Sequence, residues 1–200
     1  MILTLPYNIK YLKNRYQLLD DDVERLTKKA LPELIKRLSL ESLVDQLDIF
    51  TDIEFNLELG LSSKINIIKS ETEKLVRAED VIESYINISN NQQEVLVIYN
   101  PLFPFLSIKK IKFIYDRVKG GHSNSGLGSY YDSMGLTDLN NVKNIDRGIF
   151  SVINKSEFIL KKNRLISPVD AVGLSALELV SLRVKDDYEL YGLIVNSGLI

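Results

Sequence analysis

Residues 94–107 read EVLVIYNPLFPFLS, and the fold turns on how this stretch is read. Its first part, Val95-Leu96-Val97-Ile98-Tyr99, is apolar, rich in β-branched residues and without alternation. A strand with that pattern is covered on both faces, the usual state of a central strand in a parallel sheet. Proline lacks an amide donor, so the strand should stop where Asn100-Pro101 and then Pro104 begin. Ser107 follows as a helix N-cap, with Ile108, Ile111, Ile114, Tyr115 and Val118 on one apolar stripe. Strand, stiff loop and helix make half of a crossover unit. Ligands of open α/β sheets bind outside the carboxyl ends of such strands, which puts the expected site near residues 100–106.

The chain on either side repeats the alternation. Ile2 to Leu5 reads as a short strand ended by Pro6, and Tyr7 to Tyr16 as a basic loop with Lys10, Lys13, Asn14 and Arg15. A helix is expected from about Asp22 to Leu40, opened by the acidic Asp20-Asp21-Asp22, with a break or a second helix starting near Pro32. Asp45 to Asp52 reads as a strand, Glu54 to Leu61 as a short helix, Ile65 to Ile68 as a strand and Ala78 to Ser89 as a helix. Beyond the helix that ends near Lys119, Gly120 to Leu139 is rich in glycine, serine and aspartate and reads as a long loop or irregular hairpin. Ordered pieces are expected at Arg147 to Ile153 and Glu157 to Leu160, then a proline-marked link at Ile166 to Asp170. A strand at Leu177 to Val184 and a helix at Lys185 to Val195 close the pattern. This alternation predicts a single α/β domain over residues 1–200, a three-layer α/β/α arrangement on a mainly parallel, doubly wound sheet.

Composition removes whole classes of chemistry. The 200 residues carry a net charge of −2, no cysteine and one histidine, His122. Disulfides, thiolate sites and multi-histidine metal centres are thereby excluded. The charge balance argues against a nucleic-acid or membrane-surface partner, and no apolar run reaches the length of a membrane span. A cytoplasmic protein is the expectation. Any catalysis would use carboxylates, lysines, hydroxyls or an oxygen-held metal ion.

Several separated motifs together resemble the CMP-sialic acid synthetases, cytidylyltransferases that activate acidic sugars with CTP. Ile2 to Pro6 resembles their first strand, and Lys13-Asn14 the end of their glycine-rich loop. Phe50-Thr51-Asp52 is similar to the end of their second strand. Asn100-Pro101-Leu102-Phe103-Pro104-Phe105 keeps both prolines of their central motif. Arg147-Gly148-Ile149-Phe150 resembles their late Asn-Gly and aromatic strand, and Ser181 to Leu190 stands where they carry an Asp-x-Asp strand and an acidic helix start. The resemblance implies a nucleotide-diphospho-sugar transferase fold of Rossmann-like type, with CTP and an acidic sugar as substrates and Mg2+ as cofactor. It also implies a homodimer, with residues 120–146 as a small dimerisation excursion that includes Tyr130-Tyr131. Lys10, Lys13, Asn14, Arg15, Asp52, Asn100 and Arg147 would bind substrate, and Asp186 and Asp187 would have to hold the metal.

The departures fall on the residues that carry the chemistry. Tyr7 to Leu12 contains no glycine, and the loop is about four residues short of the family pattern. Ser181 and Arg183 stand where two metal-binding aspartates would be, Leu102 and Phe103 where hydroxyls would be, Asn100 for glutamine and Arg147 for asparagine. Losing a bridging metal should cost on the order of a thousandfold or more in rate. Each singled-out residue also has a plain structural reading. Asn100 to Phe105 fits a strand-to-helix turn, Thr51-Asp52 a strand end or helix cap, and the lysines and arginine a solvated surface. Asp186-Asp187 fits helix capping, and His122 an exposed loop. Gly126 and Gly128 have no expected strand before them and no helix after them, so they are not a dinucleotide fingerprint. Two expectations therefore stand: a CMP-sugar synthetase-like nucleotidyltransferase, or a catalytically inactive relative that binds a nucleotide sugar or scaffolds a partner enzyme.

Overall fold

The computed structural model describes residues 1–54, 63–70, 75–129, 148–183 and 185–197. In chain order these form β1 (Ile2–Tyr7), α1 (Ile9–Tyr16), α2 (Asp20–Arg25), a π-helical turn (Leu26–Ala30), α3 (Leu31–Leu40), β2 (Gln46–Thr51) and β3 (Ile65–Lys69). The chain continues through α4 (Ala78–Ile88), β4 (Val95–Tyr99), α5 (Ile108–Lys119), β5 (Ser125–Ser129), β6 (Phe150–Asn154) and α6 (Lys155–Lys161). It closes with β7 (Val169–Gly173), a 3-10 turn (Leu177–Leu179) and α7 (Lys185–Asn196).

The apolar run that suggested a central strand is one. β4 is the fourth of seven strands in the order β3-β2-β1-β4-β6-β5-β7, and Val95, Leu96, Val97 and Tyr99 are all buried. β1 and β2 pair in parallel from Ile2↔Gln46 to Tyr7↔Thr51, and β1 meets β4 in parallel at Thr4↔Ile98. β6 runs antiparallel to both β4 and β5, while β7 is parallel to β5. The sheet is therefore mainly parallel with one reversed strand. From β1 the chain steps outward to β2, whereas from β3 it crosses back to β4. Helix α4 covers one face, where Tyr85 reaches Asp48 of β2, while the π-helical turn, α3 and α5 cover the other, with Thr27 on Tyr7, Arg37 on Tyr99 and Ile114 over Gly126, which gives three layers.

Four local expectations need correction. Pro6 does not end the first strand: β1 runs on to Tyr7 with Pro6 opposite Phe50, held by the full-length pairing with β2. Tyr7 to Tyr16 is not a loop, because α1 occupies it. Asn8 accepts the Tyr11 N–H at 2.8 Å as N-cap, Tyr11 and Leu12 bury one stripe, and no glycine interrupts them. Near Pro32 a second helix does start, as one of the two expectations had it: Pro32 lies at the first positions of α3, where its missing N–H costs little, behind the π-helical turn.

The other two corrections concern the second half of the chain. Residues 125–129 form β5 inside the sheet rather than part of a loop. A Cβ at Gly126 would lie 2.2 Å from Ile114 Cγ2, and one at Gly128 would lie 2.7 Å from Phe150 Cε1, so glycine lets this strand lie close under its neighbours. The expected strand over Leu177 to Val184 is instead a 3-10 turn followed by coil through Arg183. Glu178, only 4% exposed, turns inward there and accepts from the Ser107 N–H at 3.1 Å and Lys110 Nζ at 2.5 Å. The edge strand is β7, which begins inside the stretch read as a proline link.

The expected helix at Glu54 to Leu61, the Tyr130-Tyr131 pair and most of the 120–146 excursion lie outside the described residues. Among those described, no helix is long and apolar enough to cross a membrane.

Candidate active-site cleft at the strand ends

The carboxyl ends of β1 and β4 open on one cleft, as the proline positions suggested. Pro6, Ile98, Asn100 and Pro101 share its wall with Tyr11, Arg15, Tyr16, Gly148 and Arg164. Asn100 organises it. Its buried amide donates to Tyr16 Oη at 2.9 Å and to the Gly148 carbonyl at 2.7 Å, and its Oδ1 accepts the Leu102 N–H at 3.0 Å. This one side chain fastens the β4 end to α1 and to the approach to β6. Gly148 sits at φ 64°, a left-handed conformation that glycine adopts without strain.

The cleft is nearly full. α1 crosses its mouth, and the free volume left is about 50 Å³, room for a few water molecules. Arg183 closes the side where metal ligands were expected. Its guanidinium stacks over the Tyr16 ring at 5.2 Å and the Phe103 ring at 5.3 Å, while its Nε donates to Ser181 Oγ at 2.8 Å. Leu102 and Phe103, between the prolines, are buried in the core. Burial also pushes the Tyr11 hydroxyl well above its ordinary range, so it stays protonated.

The other expected site residues have structural roles or face solvent. Asp52 caps α1: its Oδ1 accepts the Ile9 N–H at 2.7 Å and its Oδ2 the Lys10 N–H at 3.3 Å. Lys10, Asn14 and Arg15 are exposed on α1, with Arg15 reaching the cleft wall. Lys13 pairs with Asp20, whose carboxyl that contact holds below its ordinary value. Asp187 Oδ2 accepts the Ser181 N–H at 3.2 Å, Asp186 is exposed, and Arg147 lies outside the described residues. His122 is exposed.

These groups do not suit a divalent cation. The carboxylate nearest Ser181 is engaged by a backbone donor, and a guanidinium fills the space beside it. Among the described residues no three acidic or histidine side chains come together in a metal-holding group.

Arg164 was missed by sequence reasoning. It lines the cleft and pairs with Glu79 at 3.3 Å, both side chains largely buried. Its local setting, Lys161-Lys162-Asn163-Arg164, reads as a solvated charge run, and only the path of the chain after α6 brings it inward. Arg15 and the Glu79-paired Arg164 bring positive charge to the cleft wall, and Arg183 stacks on Tyr16 beside it.

No protein-family model matches the sequence, and no curated protein sequence matches it. Solved structures do. The 4-diphosphocytidyl-2C-methyl-D-erythritol synthase of Anaerococcus prevotii superposes with a TM-score of 0.61 at 9% identity, over 98% of this chain and 96% of that one. The 2-C-methyl-D-erythritol 4-phosphate cytidylyltransferase of Francisella tularensis gives 0.58 at 15% identity, over 96% of this chain and 98% of that one. Neither is a CMP-sialic acid synthetase, so the narrower resemblance is not singled out. The described residues share the fold of these two proteins.

Proposed function

We propose that this protein is a non-catalytic relative of the CTP-using cytidylyltransferases, which keeps their fold and serves as a binding partner for another protein. The observation that carries this reading is the seating of Arg183 between Tyr16 and Phe103, with α1 laid across the strand ends. Nucleotidyl transfer needs room for a triphosphate and a counter-charge that bridges its oxygens. The cleft has about 50 Å³, no suitable metal ligands among the described residues, and a helix where a phosphate-wrapping loop would be needed. Pairing with a second copy of the chain rests on the sequence resemblance alone.

A second reading retains activity: CTP, with Mg2+, activates an acidic, sialic acid-like sugar. The guanidinium groups of Arg15 and Arg164 on the cleft wall, with Arg183 on Tyr16 beside them, favour it, because an anionic substrate would be drawn to that cleft. One experiment separates the two. The purified protein is incubated with CTP, Mg2+ and a panel of 2-keto acid sugars and sugar phosphates, and pyrophosphate release is followed. The expected result is none, together with no thermal stabilisation by CTP or CMP. Pyrophosphate release with any panel member would establish the second reading and sink the first.

A further inference from the structure

Helix α3, the loop after β4 and helix α7 enclose a groove of about 350 Å³ that shares no lining residue with the strand-end cleft. Small-molecule sites run to about 300–1,000 Å³. Glu33, Lys36, Arg37 and Leu40 recur at helical spacing and put one edge of α3 on this groove. Leu40 is 75% exposed, and Val195 of α7 lies half-buried on the same wall. Phe105 and Tyr191, stacked with their centroids 5.5 Å apart, close its inner side. Arg37 is half-buried, and its Nη2 donates to the Pro104 carbonyl and, at 3.5 Å, to Tyr99 Oη, both neutral acceptors. Its Nε and Nη1 make no hydrogen bond to a described residue and are not sealed from solvent. No described carboxylate pairs with Arg37 or with the exposed Lys36. Glu33, one turn away on the same helix, accepts instead from the Tyr191 hydroxyl at 2.5 Å. A cation taken half out of water without a counter-charge is costly, and an anion in the groove would offset that cost.

The chemistry of this wall narrows the ligand. Lys36 and Arg37 against Glu33 leave the lining one net positive charge, which matches a monoanion. The exposed Glu33 carboxylate repels a polyphosphate or a second acid group. A carboxylate has the shape and charge to take the unused guanidinium donors. The rest of the lining has no amide side chain, and its one hydroxyl, on Tyr191, is spent on Glu33. Sugars and polyols would therefore find few partners there. Leu40 and Val195 offer apolar surface that is now in water, and covering it with a hydrocarbon chain or ring is favourable. We propose that this groove is a binding site, separate from the strand-end cleft, for a small monocarboxylate with an apolar tail. The acid group meets Arg37 and Lys36, and the tail lies against Leu40 and Val195.

The test titrates the protein with octanoate and phenylacetate, each below its micellar range, and follows calorimetry and backbone amide shifts. Octanol, octylammonium and inorganic phosphate serve as matched controls for tail, opposite charge and bare anion. At least one carboxylate should bind, about tenfold tighter than all three controls, with the largest shifts in the second half of α3 and near Val195. Lys36→Glu and Leu40→Ser should each weaken it about tenfold. Both positions are exposed, so the core stays intact, and circular dichroism checks the folding of the variants. Arg15→Ala, in the strand-end cleft, should leave binding unchanged. Failure of both carboxylates overturns the proposal, as does equal binding of octanol or octylammonium, indifference to both groove variants, or loss through Arg15→Ala. A concentration-dependent dimer that Leu40→Ser dissolves would assign the groove to a second copy of the chain and overturn it too.

Discussion

Arg183 inverts the electrostatics of its corner of the molecule: a fixed cation stands where a hard-metal site would need negative oxygens. Its two aromatic contacts and its bond to Ser181 join coil before α7, helix α1 and the loop after β4. Arg183→Ala removes all three, and the expected loss is about 1–2 kcal/mol, measurable as a lower urea midpoint at unchanged slope. The variant should not gain pyrophosphate release, since no metal ligands appear with the vacated volume. At this scale the sequence was informative wherever a residue acts through its neighbours in the chain. Asn100 after an apolar strand and Asp52 as a helix cap were both open to reading. Asp52 caps a helix 43 residues away in sequence, however, and Arg164 enters the cleft only because the chain turns after α6. Neither connection leaves a local pattern.

Helix α1 and strand β5 show how tertiary contacts override local preference. Basic residues with no glycine could form either a solvated loop or a helix. The distant Asp52 carboxylate together with the burial of Tyr11 and Leu12 selects the helix. Ser125-Gly126-Leu127-Gly128-Ser129 carries the composition of a loop, yet α5 presses so closely that only glycine fits at Gly126. Gly126→Ala should therefore destabilise the fold by about 2–3 kcal/mol through overpacking against Ile114. Combining it with Ile114→Ala removes the atom it strikes. The double variant should be less destabilised than the sum of the single variants by about 1 kcal/mol or more, measured by a denaturation double-mutant cycle. Additive losses would mean that the backbone, not the Ile114 methyl, meets the new group.

The alternation of strands and helices made the α/β class and the parallel bias legible across the whole molecule. The position of β6, reversed between β4 and β5, was not, because pairing order is set by the return path of the chain and not by any segment's own pattern. The core binds both faces into one body, and its tyrosines make it sensitive to alkali. Burial first, with local hydrogen bonds modulating it, raises Tyr7, Tyr85 and Tyr99 from 10.0 to about 12. The folded state thus holds phenolic protons that the unfolded chain releases near its ordinary value. Their stabilisation is complete below pH 10.0 and disappears as pH rises through about 12. Phenolate absorbance should therefore rise late and together with loss of helical dichroism. Early, gradual ionisation with the fold intact would contradict this burial.

The same contacts set a timetable for biosynthesis. Strand β1, made before the other six strands described, lies between β2 and β4, and α1 cannot take its final seat until Arg183 arrives to stack on Tyr16. Farther along, Tyr188 donates to the Arg25 carbonyl at 3.1 Å and Tyr191 to Glu33 at 2.5 Å, so α7 docks on α2 and α3. A nascent chain halted before residue 183 would hold its N-terminal helices without their cover, exposing apolar surface to chaperones. Native assembly of these layers is a late event, completed when α7 docks.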